Sequence, residues 1–145
     1  AKAMGRLQSQ MTSGITSFIM PAAVAALQGQ ATESPRMRAV FATRAKRVFE
    51  LLSAIDGFVC VPPTGAFYVF PDVSACFGKT TPDGRTIESA GSFAEALLEE
   101  AKVAVVPGED FGAVAANHIR ISFACDEATF TSGIERIAAW VGTLR

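Results

Sequence analysis

Arg120 is the residue whose type and setting best fit a chemical task. It lies within His118-Ile119-Arg120-Ile121-Ser122-Phe123-Ala124, where apolar residues alternate strictly, as in a half-buried strand. A strand leaves a charged side chain little room to wander. A guanidinium held there offers a planar fork matched to a carboxylate or phosphate. The spacing alone equally fits an arginine that simply faces water. Gly108-Glu109-Asp110-Phe111-Gly112 is a second candidate, since flanking glycines allow close backbone approach. Its two adjacent acids repel an anion, so it reads as a plain turn rather than a phosphate cradle. Thr64-Gly65-Ala66-Phe67-Tyr68 brings aromatics able to wall a pocket or to pack in a strand, and Thr12-Ser13-Gly14 offers hydroxyls in a loop that leads into a helix. Nucleophile–base catalysis finds no support. There is no G-x-S-x-G elbow, and the lone His118 has no acid beside it in sequence. Cys60, Cys76 and Cys125 form no C-x-x-C pair, so no zinc or other metal site is expected and a reduced, cytoplasmic setting is.

The elements that must position these residues can be read in order. Thr16 or Ser17 can cap a helix over roughly 17–29, with Pro21 in its first turn. Ser34-Pro35 reads as an N-cap followed by proline at the first helical position. Met37, Val40, Phe41, Ala45, Val48, Leu52 and Ile55 then recur at steps of three and four, and Gly57 stops the helix. Its other face carries Arg36, Arg38, Arg44, Lys46 and Arg47, a solvated face with no aromatic platform for nucleic acid. Strands are expected at 58–61 and 66–70, then a long loop over 72–91 with a tight turn at Pro82-Asp83-Gly84. Ser92-Phe93-Ala94-Glu95 reads as a capping box opening a helix to about Ala101. Val103–Val106 and 118–124 supply two more strands. Asp126 caps a last helix with Phe130, Ile134, Ile137 and Val141 on one stripe. The result is an α+β fold, a small mixed or antiparallel sheet of about four strands with helices packed on one face. Ile119, Ile121 and Phe123 point into the helices. His118, Arg120 and Ser122 point to water, a ligand or another domain.

Composition narrows the function classes. In 145 residues, 50% are apolar and 19% charged, which excludes a disordered chain. Thirteen basic against fourteen acidic residues give a net charge of -1, unlike a nucleic-acid binder. The most apolar stretch, Phe18 to Leu27, is too short for a membrane span and does not have the form of a secretory signal.

Four segments, in this order and spacing, resemble the C-terminal part of class I aminotransferases. These are the fold-type I pyridoxal-phosphate enzymes of the aspartate aminotransferase kind. The segments are Gln8-Ser9-Gln10-Met11-Thr12-Ser13, Pro63-Thr64-Gly65-Ala66-Phe67-Tyr68-Val69-Phe70-Pro71, Val103-Ala104-Val105-Val106-Pro107-Gly108 with Phe111-Gly112, and 118–124. The resemblance implies that Arg120 binds a substrate α-carboxylate and that Phe67 lies near the substrate pocket. It implies that Thr12 and Ser13 lie at a dimer interface near the neighbouring active site. It divides the chain into 1–33, an interdomain and dimer-interface segment with a helix, and 34–145, a small domain that closes over substrate.

The family's Schiff-base lysine stands in a Ser-rich motif upstream of the Gln-Ser-Gln segment, and Lys2, Lys46, Lys79 and Lys102 have no such surroundings. The cofactor's phosphate loop and ring partners also lie upstream in the family. The resemblance therefore implies pyridoxal phosphate in the parent enzyme and none on this chain alone, which is expected to be inactive without a large domain. It implies amino acid and 2-oxo acid substrates and a homodimer or higher oligomer. A non-catalytic ligand-binding or protein-interaction module is the alternative.

Overall fold

The first thirty-nine residues are largely helical, and among their described side chains every one is exposed. A computed structural model describes the backbone of residues 1–145 and every side chain except that of Gln30. The chain divides into two compact units, Ala1–Ala39 and Val40–Arg145. In the first, α1 (Lys2–Thr12) has no buried residue. Thr12 Oγ1 donates to the Gln8 carbonyl at 2.9 Å, and Ser13 ends the helix with a left-handed φ of 59°. Helix α2 (Ile19–Ser53) follows. Pro21 lies in its first turn, where a missing N–H costs no helical bond.

Pro35 lies inside α2 rather than opening a new helix, which corrects the helix start expected at Ser34. The residues before it, Ala22 to Gln28, and those after it, Met37 to Leu52, are good helix formers. Elongation on both sides therefore carries the helix through one lost hydrogen bond. Arg36 pairs with Glu33 at 2.7 Å across the same turn.

The second unit has a dense core. From α2, Val48 and Leu52 are buried, with Phe41 and Ala45 partly buried against them. The sheet has three strands, β1 (Tyr68–Val69), β2 (Val106–Pro107) and β3 (Ile119–Ser122), in the order β1-β3-β2 and antiparallel throughout. The architecture is α+β as expected, with three strands rather than four. The segment 58–61 makes only the single bridge Val59–Asp72. Pro62 and Pro63 have no N–H to extend a ladder.

Helix α3 (Ala90–Ala96) is capped by Ser89, not Ser92. Ser89 Oγ accepts from the Ser92 amide at 3.2 Å, while Ser92 Oγ accepts from the Ser89 amide at 3.0 Å. This reciprocal box sits three residues earlier than the one expected, because serine can serve at either end of it. A π-helical turn, Leu97–Ala101, continues α3 and stops at Lys102, φ 56°. Helix α4 (Glu127–Val141) starts as expected: Asp126 Oδ1 accepts from the Thr129 amide at 2.9 Å. Its stripe Phe130, Ile134, Ile137 and Val141 is buried, joined by Trp140. Trp140 lies edge-on to Phe93, centroids 5.2 Å apart, and its Nε1 donates to Glu100 at 2.9 Å. Burial pushes the Cys76 thiol up, with Lys79 opposing weakly, so this cysteine packs as a neutral hydrophobe.

Candidate functional site

Alternation along β3 sorts its side chains onto two faces. Ile119, Ile121 and Phe123 are buried, at 0%, 8% and 0% exposure. Arg120 and Ser122 lie on the other face. Cross-strand register puts Tyr68 opposite Ser122 and Val106 opposite Arg120. This open face is therefore walled on one side by β1 and on the other by the turn that follows β2.

That turn is a 3-10 helix, Gly108–Phe111, and its first residue has to be glycine. A Cβ at Gly108 would lie 2.0 Å from the Ala115 carbonyl oxygen and 2.6 Å from that of His118. The close approach lets the Gly108 amide donate to the His118 carbonyl at 2.7 Å. The turn ends at Gly112, φ 108°, and delivers Phe111 to the open face.

Arg120 lies between two rings. Its Cζ is 4.8 Å from the Phe111 centroid and 5.5 Å from the Tyr68 centroid. Among the described residues no carboxylate pairs with it. Such a guanidinium meets ring faces and keeps N–H donors for an anion from outside the unit. Phe67 stands beside this group, edge-on to Tyr68 at 5.8 Å and 52% exposed. The residue before it, Ala66, has φ 60°, which takes Phe67 out of the regular strand.

A second row supports the first. Phe70 lies edge-on to Phe111 at 5.7 Å and stacks on His118 at 5.1 Å with 13° between planes. Asp72 bridges to His118 through the backbone and accepts from the Ser74 amide at 2.7 Å. Burial raises the Asp72 carboxyl, but the Ser74 hydrogen bonds and the nearby His118 outweigh it and hold the group below its ordinary value.

Thr12 and Ser13 belong to the first unit. There they line a shallow depression with Gly5, Gln8, Ser9 and Ile15.

A family model for "Aminotransferase class I and II" matches residues 1–137. The chain belongs to the class I and II aminotransferase family. It is 44% identical over 138 residues to an aspartate aminotransferase of Rhizobium meliloti, covering 95% of this chain and 33% of that relative. To an aspartate/prephenate aminotransferase of Cereibacter sphaeroides it is 41% identical over 143 residues, covering 99% and 35%. The crystal structure of a Rhizobium meliloti aspartate aminotransferase superposes with a TM-score of 0.90 at 42% identity, over 99% of this chain and 36% of that one. The chain thus spans about a third of the length of the curated relatives it matches.

Within this chain the fold gathers Arg120 and Phe67 into one cluster, through Tyr68. Sequence reasoning set His118 on the same strand face as Arg120 but did not single out Phe111 as the ring beside it. Phe111 was visible only as part of a glycine-flanked turn. Its contact with Arg120 depends on the β2–β3 pairing, which no local pattern announces.

Proposed function

We propose that this chain is the substrate-closing part of a pyridoxal-phosphate aminotransferase and that Arg120 takes the substrate's α-carboxylate. The parent reaction is amino group transfer between an amino acid and a 2-oxo acid. The names of the relatives favour aspartate as the donor. The observation that carries the reading is an arginine on an open sheet face, flanked by Phe111 and Tyr68, with no carboxylate of its own among the described residues.

A carboxylate brought to this face meets a planar fork. Two N–H donors can engage its two oxygens together, which fixes orientation as well as charge. Tyr68, Phe111 and Phe67 limit the water that competes, and closure of the domain over substrate would strengthen the pair by drying it. Residues 34–145 form the closing domain on this reading. Residues 1–33 form the interdomain and dimer segment, with Thr12 and Ser13 near the neighbouring subunit's site. The parent enzyme is a cytoplasmic homodimer or higher oligomer.

Pyridoxal phosphate supplies the electron sink of such a reaction and is held through a lysine amine and donors to its phosphate. The residues around Arg120 do not supply that amine. They offer one guanidinium and aromatic rings. On this reading the role of the Arg120 face is to bind and orient the carboxylate, and the cofactor is held elsewhere in the parent enzyme.

The test is Arg120→Lys in the full-length protein. Lysine keeps the charge and loses the fork. A large fall in kcat/KM with little change in cofactor affinity is expected. An unchanged kcat/KM removes the assignment.

A further inference from the structure

We propose that Phe111 is a positioning residue that holds the Arg120 guanidinium on the open sheet face with its N–H edges free for the substrate carboxylate. The proposal rests on the carboxylate reading above and adds a residue that the reading itself does not require.

Four observations carry it. Phe111 is 47% exposed, so burial does not account for a phenylalanine there. Of the two rings near Arg120, Phe111 is the nearer, with Cζ 4.8 Å from its centroid. The turn that presents it is tied down on several sides. Gly108 donates to His118 and tolerates no Cβ, the Gly112 amide donates to the Glu109 carbonyl at 3.2 Å, and the Glu109 carboxylate accepts from the Gly91 amide at 3.3 Å. The ring is also set from behind by Phe70, which stacks on His118.

A free arginine samples many rotamers, and most point its fork away from any one anion. A ring face attracts the guanidinium without using an N–H donor, whereas a carboxylate neighbour would occupy the fork that the substrate needs. Phe111 thus restrains Arg120 without competing for it.

The experiment uses the full-length protein with Phe111→Leu, which keeps apolar bulk without a π face, and Phe111→Tyr, which keeps the face. Affinity for succinate, an unreactive dicarboxylate, is measured by titration, with KM and kcat for L-aspartate and the melting temperature alongside. Phe111→Leu is expected to weaken succinate binding and raise KM about 2- to 30-fold, with a smaller change in kcat and an unchanged melting temperature. Phe111→Tyr is expected to restore both. In an Arg120→Ala background, Phe111→Leu is expected to add nothing; Arg120→Gln fills that corner of the cycle if the alanine variant does not fold. An unchanged succinate affinity in Phe111→Leu, the same loss with Arg120 already removed, or failure of tyrosine to rescue would each overturn the proposal. If Arg120→Ala weakens succinate while Phe111→Leu does not, the positioning role alone fails. If Arg120→Ala itself leaves succinate binding unchanged, the carboxylate reading fails and the positioning role with it.

Discussion

Leu7 and Phe93 are both large apolar residues on helices, yet the first is 62% exposed and the second is fully buried. The contrast holds across their units. In Ala1–Ala39, Met4, Met11, Phe18 and Leu27 are 67% exposed or more. In Val40–Arg145, Leu52, Leu97, Phe123 and Ile137 have no exposure. An amphipathic helix supplies an apolar face but not its cover. In the second unit the sheet and two further helices provide that cover. In the first, the apolar side chains remain exposed.

The largest expected effect falls in the covered unit. Phe93 touches the rings of Trp140 and Phe58, at 5.2 and 6.2 Å. Phe93→Ala should cost about 3–5 kcal/mol by urea unfolding, because the closely packed surroundings cannot collapse into the space. A cost below about 1 kcal/mol would break the contrast.

Gly108→Ala comes next. The Cβ has a carbonyl oxygen 2.0 Å away, so backbone must shift. A loss of about 1–3 kcal/mol is expected by the same measurement. Weaker succinate binding in the full-length protein should accompany it, since this turn also carries Phe111.

A smaller effect depends on pH. Asp72 has a folded-state pKa below its ordinary value of 3.8, so its ionised form favours the fold. That contribution is complete above the ordinary value and is lost as pH falls through the lower, folded one. Asp72→Asn should flatten the stability–pH curve below about pH 4 and leave its shape near neutrality unchanged. Equal acid sensitivity in the variant and the parent would show that Asp72 is not the group responsible.

The smallest change in folding stability is expected at Leu7. Leu7→Ala should shift unfolding by no more than about 0.5 kcal/mol, as at other exposed positions. Its effect should appear in association instead. Light scattering of the 145-residue chain should show a dimer or higher oligomer, and Leu7→Ser with Phe18→Ser should reduce it. A monomer at high concentration would mean that this face does not seek a second copy.

Legibility in the sequence followed the range of the interaction. Helix α4 was readable because its cap and stripe lie within one local segment: Asp126 bonds the Thr129 amide, and Phe130 to Val141 recur at helical spacing. The alternation of β3 was readable for the same reason. Pro35 misled because Ser-Pro marks a helix start locally and is also tolerated where strong helix formers flank it. Ser89 and Ser92 were confused because each can complete the same reciprocal cap. The segment at Val59 looked apolar enough for a strand, but its pairing partner had to come from Asp72, and one bridge was all that formed.

By itself the sequence determined which faces are apolar, where α4 begins, and that Arg120 must emerge opposite Ile119 and Ile121. Those properties follow from periods of 3.6 and 2.0, which are intrinsic to the backbone. It also carried the family, through four short segments in order. Only the tertiary structure decided what stands beside Arg120. Phe111 and Tyr68 come from turns and strands far apart in the chain, and they meet the guanidinium because β1 and β2 both pair with β3. That meeting depends on strand register and on a carbonyl approach that only Gly108 permits, and neither is encoded in a local pattern.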